Sequence, residues 1–70
     1  MIGTIQHVHL QRGSGIATVI LLDETGDVVS VHAEAGPFMR AYSSAGIAMG
    51  SKINYEVDEY GVMTSFQLED

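Results

Sequence analysis

Cysteine is absent from the 70 residues, which excludes a disulfide scaffold and any thiolate metal site. Cations are almost absent: Arg12, Arg40 and Lys52 face nine carboxylates, for a net charge of −6. A duplex binder that neutralises phosphates needs a basic face, and so few cations make little of one. The same shortage disfavours adsorption to anionic lipid. Long apolar runs are missing too. The longest, Ile16 to Leu22, has seven residues and is broken by Thr18, far short of the roughly 20 that span a bilayer. Met1-Ile2-Gly3-Thr4 lacks the basic start and apolar core of a signal peptide. The expectation is a soluble, cytoplasmic chain without a membrane partner.

Catalytic signatures are absent as well. No Ser/His/Asp set, paired carboxylates or nucleotide motif stands at a spacing that implies chemistry, and a thin core rarely encloses an active site. A chain of this length buries only about 60% of the surface its unfolded form exposes. The reading is a non-enzymatic binding module with no cofactor, built as one domain over residues 1–70.

What is present is regular. With 46% hydrophobic residues the chain is too apolar for a disordered tail. Gly3 to Leu10 alternates as a strand, with Ile5 in one phase and Val8 and Leu10 in the other. Gln11-Arg12-Gly13-Ser14-Gly15 is a turn, and Ile16 to Leu22 is apolar in both phases, as a central strand bent around a small barrel would be. Asp23-Glu24-Thr25-Gly26-Asp27 reads as a hairpin connection, after which Val29, Val31 and Ala33 alternate with Ser30, His32 and Glu34. The single proline, Pro37, suits the first turn of a helix, and Phe38, Ala41, Tyr42 and Ala45 follow at helical spacing, with Gly46 placed to cap it. Ile53, Tyr55 and Val57 then alternate with Lys52, Asn54 and Glu56; Asp58 to Gly61 turns the chain into a fifth strand, Val62 to Leu68.

Three strands, a helix and two strands in this length match the plan of the five-stranded Greek-key barrel called the OB-fold, whose short helix sits between strands three and four. An SH3-like barrel is the alternative. Within that layout Gly3-Thr4-Ile5, Arg12-Gly13-Ser14-Gly15-Ile16, Val29-Ser30-Val31-His32 and Gly50-Ser51-Lys52-Ile53-Asn54-Tyr55-Glu56-Val57 resemble, in order, the opening strand, the two nucleic-acid-binding motifs and the fourth strand of the cold-shock domain. The resemblance spans nearly the whole chain in outline and implies binding of single-stranded DNA or RNA.

The departures bear on the site. Cold-shock domains stack bases on aromatics displayed from strands one to three, whereas the matching positions here hold His7, Ser14, Ile16 and Ser30. Each stacking contact forgone is worth on the order of 1–3 kcal/mol. The aromatics, three tyrosines and two phenylalanines, all lie in the second half of the chain. The candidate nucleic-acid-binding residues are therefore His7, His9, Arg12, Ser14, Ser30 and His32, with Tyr60 a further candidate. His7 and His9, two apart on a strand, share a side, and His32 sits on a neighbouring strand of that sheet. Imidazoles at such spacing can bind zinc, but a site wants a third or fourth ligand and a second shell, so no metal is expected. Phe38, Met39, Tyr42 and Met49 form either the barrel plug or a groove for a partner helix.

Charge supports a second function. Six of the nine acids fall within residues 23–27 and 56–59, so an acidic protein-interaction module that holds a basic surface of a nucleic-acid-processing partner is the alternative reading.

Overall fold

The computed structural model describes residues 1–44 and 46–69. Its elements follow the expected order: β1 (Ile2–Gln11), β2 (Ile16–Asp23), β3 (Val28–Glu34), α1 (Ala35–Ser44), β4 (Lys52–Val57) and β5 (Met63–Leu68). The strands form one sheet in the order β3-β2-β1-β4-β5 with every neighbouring pair antiparallel. No helix among the described residues is long and apolar enough to cross a membrane.

Alternation builds the core. Val8, Val19 and Val31 stand side by side across β1, β2 and β3, as do Ile5, Leu21 and Val29, and Leu10, Ala17 and Ala33. Ile5, Val19 and Leu21 are completely buried, and Ile53 and Tyr55 close over them from β4. One phase expectation is corrected. Ile5 faces Leu21 while His7 faces Ile20, so Gln6 is the extra residue of a β-bulge. That insertion shifts the alternation by one residue, and Ile5, Val8 and Leu10 all fall on the inward side. Leu10 runs past the end of the core and stays exposed.

The helix also departs in part from its spacing. Its entry is held by the Ala35 N–H, which donates to the Gly15 carbonyl at 2.9 Å, and Pro37 lies in the first turn. Phe38 is buried, its ring 5.6 Å from that of Tyr42 and 5.0 Å from that of Phe66. Ala41, however, is exposed, and Met39 and Tyr42 are the partly buried residues packed on the core. The pitch of 3.6 residues per turn carries position 41 off the contact stripe, and small alanine gains little there. Ala45 lies outside the described residues. The cap is as expected: Gly46 has φ 70°, its N–H donates to Ser43 O at 3.3 Å, and the Ile47 N–H donates to Tyr42 O at 3.1 Å. This pair of bonds satisfies the last helical carbonyls in the Schellman manner.

The two acidic hairpins share one construction. The Asp23 carboxylate accepts the N–H groups of Thr25 and Asp27, both at 2.9 Å, and the Thr25 hydroxyl at 2.6 Å. The Asp58 carboxylate accepts the N–H groups of Tyr60 at 2.8 Å and Val62 at 3.0 Å. In each, a glycine three residues on takes positive φ, 91° at Gly26 and 79° at Gly61. These aspartates brace the turns with local hydrogen bonds.

That bracing, and the burial of Tyr55, each add a pH-dependent contribution to stability. Hydrogen bonding, first from the Thr25 hydroxyl and then from the Asp27 N–H, holds the Asp23 carboxyl below its ordinary value of 3.8. Its stabilising effect is present above the ordinary carboxylate range and disappears as pH falls through the lowered value. Burial, and secondarily the Asp23 charge, push the Tyr55 phenol above its ordinary value of 10.0. That contribution is complete below the ordinary value and is lost as pH rises through the raised one. Thermal melts across pH are expected to show both declines, and Asp23→Asn, which keeps an acceptor without the charge, should flatten the acid limb. An unchanged acid limb in that variant contradicts the assignment.

Candidate nucleic-acid interface

The strand registers decide which side chains share the outward face. His9 stands opposite Thr18 and Thr18 opposite His32, while His7 stands opposite Ile20 and Ile20 opposite Ser30. Residues in lateral register point to the same face of a sheet. His7, His9, Ser30 and His32 therefore lie on one outward surface, in two adjacent rows completed by Thr18 and Ile20. All three histidines and Ser30 are exposed. The Thr18 hydroxyl and His32 Nδ1 approach to 3.4 Å, with donor and acceptor set by the imidazole tautomer.

The bulge at Gln6 produces this grouping. Without it, Ile5 and His7 would share a side, and the histidines of β1 would point into the core. The next row is Gln11, Ile16 and Glu34, and of the outward positions in these rows only Glu34 carries a carboxylate. For a chain of net charge −6, this face is poor in acid.

Arg12 and Ser14 lie on the exposed β1–β2 turn at the end of the face. Gly13 and Gly15, at φ 81° and 71°, make the reversal. The Ser14 hydroxyl donates to Gln11 O at 3.0 Å and accepts the Ile16 N–H at 3.2 Å. Ser14 thus holds the turn that presents Arg12.

At the other border, the β4–β5 turn meets β3. The His32 N–H donates to Gly61 O at 3.0 Å, and His32 and Val62 form an isolated parallel bridge. Tyr60, immediately before Gly61, is 78% exposed, which makes it the one aromatic left uncovered, and the bridge sets its backbone next to the histidine rows. Sequence reading makes Tyr60 a candidate for this face, but the places of Thr18 and Ile20 in the rows and the contact of the Tyr60 turn with His32 come from the fold, because lateral register between strands has no local signal.

Among the described residues, no three His, Asp or Glu side chains are grouped closely enough to hold a metal ion. The four residues read as either plug or groove divide: Phe38 is buried in the core, and Met39, Tyr42 and Met49 line a hollow of about 250 Å³ with His7, Val8 and Leu10. A larger cleft, about 570 Å³, opens between β3 and β5 over Phe38, Met63 and Phe66, with Glu34, Thr64 and Ser65 among its polar lining. No protein family, curated protein or solved structure matches the chain.

Proposed function

We propose that this chain is a small OB-like barrel that binds single-stranded DNA or RNA on the outward face of β1, β2 and β3. The observation that carries the reading is the pair of cross-strand rows that group His7, His9, Ser30 and His32 on one acid-poor surface, between Arg12 and the Tyr60 turn. The His32–Val62 bridge supports the barrel, since the two ends of the sheet meet there, as closure requires. Backbone contacts come from Arg12 and the imidazoles, and Tyr60 supplies a base-stacking platform. With one aromatic in place of several, binding is weak and strongly salt-dependent.

Fluorescence anisotropy with mixed-sequence single-stranded oligonucleotides at low salt tests this reading. Replacing His7, Arg12 and His32 together by alanine, all exposed, is expected to weaken binding about tenfold or more, near 1.4 kcal/mol, while the melting temperature holds. Wild-type protein that gives no anisotropy change with either nucleic acid ends the proposal.

A second reading rests on the exposed turn residues Glu24, Asp27, Asp58 and Glu59. These suit a basic protein surface, and the chain would then act by occupying a partner's nucleic-acid site. Recovery of a stoichiometric protein partner that survives nuclease treatment favours this reading over the first.

A further inference from the structure

The cleft between β3 and β5 has features that the histidine face does not need. Two unpaired strand edges converge on it. The Asp58 N–H donates to Val62 O and the Glu69 N–H to Lys52 O, both at 2.9 Å; with the β4–β5 register, alternation turns the main-chain groups of Phe66 and Leu68 away from β4. On β3, the His32 N–H points to Gly61, so the main-chain groups of Ser30 and Glu34 point to that same open side. Beyond the His32–Val62 bridge no strand among the described residues fills the gap in the sheet order.

β5 also lacks what normally blunts an edge. Met63-Thr64-Ser65-Phe66-Gln67-Leu68 contains neither charge nor proline, and Leu68, though in the inward phase with Phe66, is 41% exposed. Such an edge is a template for another strand. Its outward neighbours supply the charge pattern. Among the described residues, Glu34 is the one charged residue lining the cleft, and its side chain belongs to the outward rows.

We infer that this cleft accepts an extended peptide segment of a partner protein, added as a strand on the free edge of β5, with apolar and basic residues in alternation. Strand geometry requires that pattern. Apolar side chains on one face of the segment enter the cleft over Met63 and Phe66 and cover the exposed Leu68 beyond it; lysine or arginine on the other face meets Glu34. Main-chain hydrogen bonds to Phe66 and Leu68 supply affinity that does not depend on sequence.

The probe is a capped, fluorescent peptide alternating lysine and valine, titrated against the full chain. Wild-type protein is expected to bind it, and Glu34→Lys to weaken binding by about tenfold. Leu68→Pro should abolish binding, because proline at an outward N–H removes an edge donor while leaving the β4 ladder intact. A second peptide, N-methylated at alternate residues on its bonding edge, separates strand addition from attraction between a cationic peptide and an acidic protein. Loss of binding with N-methylation supports the inference whatever the folding of the proline variant. Equal binding of both peptides, insensitivity to Glu34→Lys, or no binding of the unmodified peptide overturns it. Oligonucleotide binding is read separately on the same samples, so failure here leaves the histidine-face result standing.

Discussion

Phe38→Ala is expected to remove about 3–5 kcal/mol of stability, the usual cost of emptying a buried aromatic site. Phe38 is 2% exposed and touches both Tyr42 and Phe66 through ring contacts, so one residue joins the helix to β5. Domains of this length hold roughly 4–10 kcal/mol in total. The variant therefore loses much or all of its cooperative urea transition at room temperature. Phe38→Leu, which keeps most of the apolar volume, should retain a measurable transition between the two. A loss below about 1 kcal/mol for the alanine variant contradicts the packing role, since it requires a site that collapses without a cavity. Tyr42→Asp is the instructive comparison. Helical spacing alone makes Tyr42 equivalent to Phe38, but it is half-buried, and a carboxylate there reaches water at lower cost.

The difference between those two residues marks where sequence reasoning stops. Period-2 alternation in Val29, Val31 and Ala33, and in Ile53 and Tyr55, identifies the inward faces because each strand carries its own pattern. Pro37 and Gly46 mark the helix for the same local reason. The β-bulge at Gln6 has no such signature. Read without it, the first strand divides Ile5 from Val8 and Leu10, and the imidazoles of His7 and His9 take the phase of Ile5. Only the pairing of Ile5 with Leu21 and His7 with Ile20 resolves the conflict. The candidate site is legible to the same extent. Two histidines two apart share a side on any strand, but the rows through Thr18 and Ile20, and the approach of the Tyr60 turn to His32, are non-local. The open edge of β5 is likewise invisible in sequence, because Thr64 to Leu68 alternates no differently from a paired strand.

Gly3 shows the same limit in the core, and its substitution carries the second large effect. In sequence it reads as a glycine opening a strand, where a side chain is ordinarily welcome. In the fold it is buried where β1 pairs with both β2 and β4, opposite Asp23 and Ile53. A Cβ placed on Gly3 lies 3.1 Å from the Tyr55 ring and 3.3 Å from the Leu21 Cβ. Leu21 cannot yield by changing rotamer, since its Cβ is fixed to the backbone, and the Tyr55 ring is 3% exposed and enclosed. Gly3→Ala therefore moves a strand or tilts the ring, and Gly3→Val adds two methyl groups to a space already filled. Overpacking of this kind costs about 1–3 kcal/mol and on occasion more. The valine variant belongs at the upper end because two strands must shift together. The strain should also reach the phenol. Any displacement that opens Tyr55 to water relieves the burial that raises its pKa, so the alkaline absorbance titration of Tyr55 moves down toward its ordinary value in the variant. Urea unfolding of Gly3→Ala and Gly3→Val, combined with that titration, checks both consequences. Wild-type stability in Gly3→Val means that β1 and β4 separate at no cost, and the close packing at Gly3 then has no part in holding the sheet together.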